Sequence, residues 1–273
     1  MTDNPTVPVV MTFAGSDPTG GAGLQADIEA IISMGCHAAT VVTCVTVQDT
    51  AEVIGLAPLD AELVMQQARA VLEDMPVAAF KIGLLGSIEI VQAVHTVLMD
   101  YPDIPVVFDP VLASGSGSAL ADEEIVEGMV SLLLPLTTVL TPNSLEARAL
   151  APGSDTLDAS AMALLDQGVE LVLITGTHEN TPQVHNVLYG NHRRLEAFAW
   201  DRLEGSFHGS GCTLASAIAG LLGQGNEPFS AIHEAQEYTW QALKHGYRPG
   251  MGQRLPNRLF WATLEEDGEA DAE

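Results

Sequence analysis

Positive charge is scarce in this sequence. Its 273 residues include 36 acidic side chains but only 10 basic ones, so the formal net charge is −26, and lysine occurs only at Lys81 and Lys244. Such a negative field repels DNA, RNA and anionic lipid, and we expect none of these as a partner. An anionic substrate would therefore have to be held by backbone dipoles and metal ions. The acid excess is as typical of proteins from salty environments as of ordinary acidic proteins.

Cysteine and long apolar runs are also sparse. The three cysteines, Cys36, Cys44 and Cys212, have unrelated spacings and include no Cys-x-x-Cys pair, which argues against a disulfide framework and a thiolate metal site. No apolar stretch reaches the roughly 18 to 20 residues that span a bilayer, and the first residues lack the basic charge of a secretory signal. We therefore expect a reduced, cytoplasmic location without a membrane partner.

Short apolar runs alternate with helix-compatible segments along the chain. Strands are predicted at 9–14, 39–47, 78–82, 105–108, 138–140 and 171–174, followed by a hairpin at 184–189 and 194–200. Helices are predicted at 22–34, 61–73, 88–99, 123–134 and 159–167, and two more begin at 210 and 229. This alternation predicts an α/β fold with a mostly parallel central sheet and helices on both faces.

No composition break divides the chain. We expect residues 1–262 to form a single domain, and residues 263–273 to form an acidic, disordered tail. The Ser/Gly-rich stretch 113–119 is either a loop that closes over a site or a plain surface linker.

Polar and glycine-rich segments follow several of the predicted strands. They are Gly15-Ser16-Asp17-Pro18, Gln48-Asp49, Asp109-Pro110 and Thr141-Pro142-Asn143. Ligands of open parallel sheets bind at the carboxyl ends of strands, so these segments mark a candidate site. The sequence has neither a Walker motif nor the motif set of protein kinases, so ATP chemistry would need another design.

A glycine-rich segment, Gly209-Ser210-Gly211-Cys212-Thr213, precedes an apolar helical run. The free N–H groups and the dipole of a helix start favour an anion, and they favour ionisation of a thiol located there. Cys212 is therefore a candidate base or nucleophile beside an anion pocket. The alternative is an ordinary glycine-rich helix start with a buried, inert cysteine.

Three oxygen-bearing side chains form a candidate metal site. Asp109 follows a strand, and Asn143 and Glu146 lie one helical turn apart, so together they can offer ligands to Mg²⁺ or its water shell. The alternative is a simple turn at Asp109 and a capping box formed by Asn143 and Glu146. Both roles can coexist.

The order of these motifs resembles that of hydroxymethylpyrimidine and phosphomethylpyrimidine kinases, which have the ribokinase-like fold. The resemblance covers about residues 9–259, and it is carried by six segments: Ala14-Gly15-Ser16-Asp17-Pro18-Thr19-Gly20-Gly21-Ala22-Gly23-Leu24-Gln25-Ala26-Asp27, Val47-Gln48-Asp49-Thr50, Lys81-Ile82-Gly83-Leu84-Leu85, Asp109-Pro110-Val111, Thr141-Pro142-Asn143 with Glu146, and His208-Gly209-Ser210-Gly211-Cys212-Thr213.

The resemblance implies two ATP-dependent phosphorylations that supply the pyrimidine half of thiamine diphosphate. ATP would first phosphorylate 4-amino-5-hydroxymethyl-2-methylpyrimidine, and a second ATP would convert the monophosphate to the diphosphate. The resemblance to this family also implies a homodimer. The rival function is that of a pyridoxal kinase of the same fold, and a catalytically silent pyrimidine-binding regulator is a third possibility.

The resemblance also implies roles for individual residues. The phosphoryl group would be stabilised by the backbone of Gly209, Ser210, Gly211 and Cys212, and Cys212 would accept or orient the hydroxyl proton. The remaining assignments are Gln48, Gly15, Asp27, Leu84 and Val111 for the pyrimidine, Asn143, Thr175 and Thr213 for the nucleotide, and Asp109 and Glu146 for magnesium and phosphate.

Two of these assignments have structural alternatives, and one motif departs from the family pattern. The amide of Gln48 matches an aminopyrimidine edge, and its alternative role is a strand-end cap. Asp27 could equally cap or pair on the first helix. Many family members carry Lys-Gly-Gly-His where this chain has Thr175-Gly176-Thr177-His178, so a phosphate-neutralising lysine is absent. The late histidines, at 178, 185, 192 and 208, are predicted as surface or hairpin residues, and only the resemblance places His178 and His208 near the nucleotide.

Overall fold

The computed structural model describes residues 7–115, 117 and 119–262. The predicted tail at 263–273 lies outside the described residues, and so do two positions of the predicted loop at 113–119. Within the described part, no helix combines the length and apolar character that crossing a membrane requires.

A nine-stranded sheet forms the centre of the molecule, in the order β3-β2-β1-β4-β5-β6-β7-β8-β9. The strands are β1 Val9–Ser16, β2 His37–Gln48, β3 Val53–Pro58, β4 Val77–Ile82, β5 Val106–Phe108, β6 Val139–Leu140, β7 Leu171–Ile174, β8 Gln183–Gly190 and β9 Arg193–Asp201. Six adjacent strands are parallel to one another: β2, β1, β4, β5, β6 and β7. Strand β3 pairs antiparallel with β2, and β8 pairs antiparallel with both β7 and β9. The predicted mostly parallel sheet is confirmed.

Helices cover both faces of the sheet. They are α1 Gly23–Ser33, α2 Ala61–Asp74, α3 Ile88–Met99, α4 Glu123–Gly128, α5 Ser144–Leu150, α6 Leu157–Asp166, α7 Ser210–Gly223 and α8 Pro228–Lys244. One buried cluster joins Phe13 to residues of α2, α3 and α6, and the other joins Val10 to residues of α1, α7 and α8. Adjacent side chains of a strand point to opposite faces, so β1 contributes to both clusters.

The structure corrects three sequence-based details. The predicted helix at 123–134 is α-helical only to Gly128; a π-helical turn and a short 3₁₀ turn that contains Pro135 follow, because proline has no N–H for the helical ladder. Strand β3 was not predicted, since it is a half-exposed edge strand with Gly55 inside it and Pro58 at its end. Helix α5 was also missed as an element, although its cap was recognised.

A buried ion pair ties the sheet to the helices beneath the strand ends. Lys81 of β4 and Asp27 of α1 are both fully buried, and their Nζ and Oδ1 atoms are 2.8 Å apart. Asp27 also accepts hydrogen bonds from Thr12 of β1, at 2.5 Å, and from Ser216 of α7, at 2.7 Å. Four elements therefore meet at one carboxylate.

Removing one partner of this pair should destabilise the protein strongly. We expect Lys81→Met to lower the free energy of unfolding by about 3 to 5 kcal/mol, because it leaves the Asp27 carboxylate buried without a cation. Adding Asp27→Asn should recover part of the loss. The control is Arg69→Met, which breaks the exposed pair with Asp100 and should cost about 1 kcal/mol or less. Urea unfolding measures all three, and equal losses for Lys81→Met and Arg69→Met would contradict the prediction.

Candidate active site

A cleft of about 600 Å³ opens at the carboxyl ends of the parallel strands. Residues from every predicted motif line it, including Gly15, Gln48, Leu84, Asp109, Val111, Asn143, Glu146, Thr175, Gly209, Ser210, Gly211 and Cys212. Parallel strands end at one edge of a sheet, which is why segments far apart in sequence converge there. Twelve of the fourteen predicted site residues therefore lie in one cavity, and Asp27 and Thr213 do not.

The start of α7 forms one wall of the cleft. Gly209 precedes the helix with φ of 82°, a left-handed conformation that suits glycine, and no side chain caps the helix start. The first intrahelical hydrogen bond runs from the Thr213 N–H to the Gly209 carbonyl. The N–H groups of the preceding residues have no partner within the helix, so they can bind an anion from the cleft.

The surroundings of Cys212 favour its protonated form, whereas the helix start alone predicted a lowered pKa for this thiol. Burial raises its pKa to about 12; Lys81 lowers the pKa, but Asp109 and Asp27 oppose that effect. The thiol donates a hydrogen bond to the Asp109 carboxylate. The helix dipole by itself favours ionisation, whereas the fold places this partly buried thiol beside two carboxylates, which favour the protonated form.

Asp109 and Glu146 form an acidic pair in the cleft, and Asp109 lies next to the start of α7. Burial raises the pKa of Asp109 to about 6, against the lowering effect of Lys81. Burial and the neighbouring Asp109 raise the pKa of Glu146 to about 8. Repulsion between two buried carboxylates is relieved by a cation, which is the behaviour of a metal site.

The capping interpretation of Asn143 and Glu146 is confirmed at the same time. The Asn143 side chain accepts from the N–H groups of Leu145 and Glu146, and Glu146 accepts from the Asn143 N–H at 2.8 Å. This capping box fixes the orientation of the Glu146 carboxylate at the cleft.

The donor set fits magnesium bound together with phosphate. In the part of the chain that the structure describes, no group of three or more His, Cys, Asp or Glu side chains is arranged to hold a metal. Mg²⁺ in phosphate chemistry commonly takes only one or two protein carboxylates, with water and phosphate oxygens as its other ligands. Asp109 and Glu146 meet that requirement.

The end of the cleft beside β2 carries the groups predicted to face the pyrimidine. Gln48 donates from Nε2 to Thr46 Oγ1 at 2.7 Å, and Thr46 donates in turn to the Ser16 carbonyl. This chain holds the Gln48 amide in place. A Cβ atom on Gly15 would lie 2.7 Å from the Cys44 sulfur and 3.3 Å from Leu84, so only glycine leaves this wall open.

Two predicted contact residues do not reach the cleft. Asp27 is enclosed by Lys81, Thr12 and Ser216, so its alternative role as a pairing residue is the one observed. Thr213 is fully buried within α7, where it donates to the Gly209 carbonyl and accepts from Arg258. The sequence pattern locates both residues near the site but does not show that helix packing turns them away from it.

His208 and Asp17 also line the cleft, although neither was among the predicted site residues. The resemblance placed His208 near the nucleotide, and its Nε2 lies 2.8 Å from Asp17 Oδ2. Burial raises the pKa of Asp17, but hydrogen bonds from His208, Thr19 and Ala22 outweigh it and leave the pKa below its ordinary value. The signal was present, because both residues belong to the quoted motifs.

The end of the cleft beside β9 was also missed. Trp200 and Trp240 line it, with ring centroids 6.3 Å apart. The Gln236 Oε1 atom accepts from Trp200 Nε1 and from Asn186 Nδ2, and Asn186 Oδ1 accepts from the Gly176 N–H. This network connects the tryptophan ring to the segment that lacks the family lysine.

The raised pKa of Glu146 should make the protein less stable as the pH rises. The carboxyl has its ordinary pKa of 4.5 in the unfolded chain and a pKa of about 8 in the folded one. Its contribution to stability is therefore fully present below about pH 4.5 and is lost as the pH rises to about 8. We expect Glu146→Gln to flatten the fall in Tm between about pH 4.5 and pH 8.

The control for this variant is Glu124→Gln, which changes an exposed glutamate on α4. It should keep the pH dependence of the parent protein. Calorimetry without nucleotide or metal measures the three profiles, and a parental slope in Glu146→Gln would contradict the assignment.

Comparison with known proteins agrees with the geometry of the cleft. A family model described as phosphomethylpyrimidine kinase matches residues 17–257. Hydroxymethylpyrimidine/phosphomethylpyrimidine kinase of Synechococcus elongatus is 38% identical over 258 residues, which cover 90% of this chain and 95% of that protein. A thiamine biosynthetic bifunctional enzyme of Arabidopsis thaliana is 35% identical over 88% of this chain, which spans 47% of the plant protein.

The fold is shared with a solved kinase. The structure of an ADP complex of Bacillus subtilis pyridoxal kinase superposes with a TM-score of 0.86 at 26% sequence identity, covering 93% of this chain and 98% of that one. The predicted ribokinase-like fold and the resemblance drawn from the motifs are both confirmed. From the extent of the family match and the convergence of the motifs on one cleft, the chain belongs to the phosphomethylpyrimidine kinase family.

Proposed function

We propose that this protein phosphorylates 4-amino-5-hydroxymethyl-2-methylpyrimidine to its monophosphate and then to its diphosphate, with ATP as the donor in both steps. The observation that carries the proposal is that one cleft contains both the Gln48 end and the uncapped start of α7 beside Asp109, Glu146 and Cys212. The first end suits an aminopyrimidine, and the second suits a phosphoryl group. The product serves thiamine biosynthesis, in keeping with the plant relative.

In the first step, the substrate hydroxyl oxygen attacks the γ-phosphorus of ATP, the bond from that phosphorus to the bridging oxygen breaks, and ADP leaves. The hydroxyl proton needs an acceptor, and the ionised Asp109 carboxylate is the suitable base. The protonated Cys212 thiol donates to that carboxylate. Cys212 therefore orients the base and the incoming hydroxyl rather than acting as a thiolate.

In the second step, the nucleophile is a phosphate oxygen of the monophosphate. A phosphate monoester is largely ionised at neutral pH, so this step needs no proton acceptor on the protein. The N–H groups at the start of α7 stabilise the transferring phosphoryl group in both steps. Asp109 and Glu146 would hold Mg²⁺, which neutralises phosphate charge when bound. One cleft can thus serve both reactions.

Cys212→Ala should separate the two steps. We expect a loss of about 100-fold in kcat with hydroxymethylpyrimidine, because proton removal is misdirected, and a loss below about tenfold with the monophosphate. Cys212→Ser, which keeps a donor to Asp109, is the matched control. ADP release with Mg²⁺ and ATP measures both. Equal losses on the two substrates would contradict the assigned role.

A pyridoxal kinase is the second candidate, favoured by the structural similarity to the Bacillus subtilis enzyme. The same ADP-release assay with pyridoxal distinguishes the two. Turnover of both pyrimidines with poor turnover of pyridoxal supports the proposal, and turnover of pyridoxal alone overturns it. No turnover of any of the three would indicate a silent pyrimidine-binding protein.

The nucleotide base is proposed to occupy the end of the cleft lined by Trp200 and Trp240. These aromatic rings lie at the opposite end from Gln48, next to Thr175 and Asn143. Base stacking on aromatic rings contributes about 1 to 3 kcal/mol. Such stacking would offset part of the binding lost with the missing family lysine.

Tryptophan fluorescence tests this placement without requiring turnover. The chain has three tryptophans, and the third, Trp261, is not among the residues that line the cleft. We expect MgATP to quench the emission of the parent protein and of Trp261→Phe, and to quench Trp200→Phe or Trp240→Phe much less. Unchanged quenching in the double variant Trp200→Phe/Trp240→Phe would contradict the placement.

Residues 1–262 are further proposed to act as one domain within a cytoplasmic homodimer. The three free cysteines are consistent with a reducing compartment. The edge strand β3 and its neighbour β2 expose Ile54, Val47 and Val45, which is an apolar surface that a second copy could cover.

A further inference from the structure

Arg258 is the largest of the fully buried side chains in the described part of the chain, although it lies outside the cleft. Its guanidinium donates to Thr213 Oγ1 at 2.9 Å, to Glu29 Oε2 at 3.1 Å, and to the carbonyl oxygens of Gly20 and Gly21. Most of its donor capacity is therefore used on a helix and on a glycine loop that are far apart in sequence.

The two segments that Arg258 joins both form walls of the cleft. Thr213 is in the first turn of α7, and Gly20 and Gly21 precede Ala22, which lines the cleft. The segments touch so closely that a Cβ atom on Gly209 would collide with the Gly21 carbonyl and lie 2.9 Å from Arg258 Nη2. The position of the helix start is thus set against the glycine loop.

A second contact joins the glycine loop and the start of α7 on the cleft side. Asp17, at the beginning of the glycine loop, contacts His208, the residue before Gly209. Arg258 contacts both segments from the protein interior. The Asp17–His208 contact therefore faces the ligand, whereas the contacts of Arg258 are shielded from it.

Packing alone is a weak reason to bury this guanidinium. Its carboxylate partner, Glu29, is itself 29% exposed, and its other partners are neutral oxygens. Burying a charge costs free energy that such partners only partly offset, and apolar side chains often stabilise an interior equally well. The planar fork of arginine, in contrast, holds several oxygens in a fixed relative position.

We propose that Arg258 is a positioning residue for phosphoryl transfer, which fixes the glycine loop at Gly20 and Gly21 against the first turn of α7. The N–H groups at that helix start bind the phosphates only when they are correctly placed. Small displacements of groups in phosphoryl transfer have large effects on rate, of the order of 100-fold for about 1 Å. This inference rests on the proposed kinase function, because that reaction supplies its readout.

The test compares Arg258→Ala, Arg258→Lys and the control Glu29→Gln in the full chain. We expect kcat/KM for ATP to fall about 10- to 100-fold in both Arg258 variants, with KM for the pyrimidine changed less than about twofold. Millimolar guanidinium ion should restore Arg258→Ala by about tenfold, and urea at the same concentration should not. Glu29→Gln keeps the contacts to the glycine loop and to α7, so it should stay within about twofold of the parent.

Three results would overturn the proposal. They are parental kinetics in a folded Arg258→Ala, a loss of activity that guanidinium does not restore, and an equal loss of activity in Glu29→Gln. If Arg258→Ala does not fold, Arg258→Lys takes its place, since it keeps the charge and lacks the fork. Failure of both variants to fold would assign Arg258 to stability alone. Inactivity of the parent protein on all pyrimidines would instead refute the proposed function, and MgATP binding by the Arg258 variants would still be measurable by calorimetry.

Discussion

Lys81 carries its charge where water does not reach, and the architecture of the site depends on how that charge is balanced. The side chain is fully buried between β4 and α1 and pairs with Asp27. Burial lowers the pKa of Lys81, but the carboxylates of Asp27 and Asp109 outweigh that effect and raise it above its ordinary value. The lysine therefore stays charged, and its pair with Asp27 joins the sheet to α1 and α7, two helices of one face, under the cleft.

The positive charge of Lys81 also stabilises the ionised acidic groups of the cleft. Asp109 lies between Lys81, which favours its ionised form, and a neighbouring carboxylate, Glu146, whose pKa it raises. A protein with a net charge of −26 thus concentrates negative charge at a site that must accept phosphates. The start of α7 and a divalent cation are the local means of reversing that field.

Much of the fold could be predicted from the sequence because buried parallel strands are continuous apolar runs. Strand β7 has the predicted bounds, Leu171–Ile174, and so does helix α3, Ile88–Met99. Edge strand β3 could not be found in that way, since its glycine, its proline and its exposed side chains weaken the pattern. Hydrophobic periodicity in a sequence indicates which segments are buried, and most side chains of β3 are not buried.

The site could be predicted only as far as residues act through their place in a motif. Four of these residues line the cleft because each lies at the end of a strand or in the first turn of a helix: Gln48, Asp109, Glu146 and Cys212. Three other features depend on neighbours from distant parts of the chain. They are the inward orientation of the Asp27 side chain, the raised pKa of Cys212 and the contacts of Arg258. Such tertiary effects leave no local pattern in the sequence.

The protonated thiol of Cys212 has a chemical consequence beyond phosphoryl transfer. Oxidants and alkylating reagents attack the thiolate form, and a pKa of about 12 leaves very little thiolate at neutral pH. A cysteine at the centre of the site is thereby protected from sulfenic acid formation and from covalent labelling. The neighbouring carboxylates that raise the pKa of Cys212 thereby also lower its reactivity with oxidants.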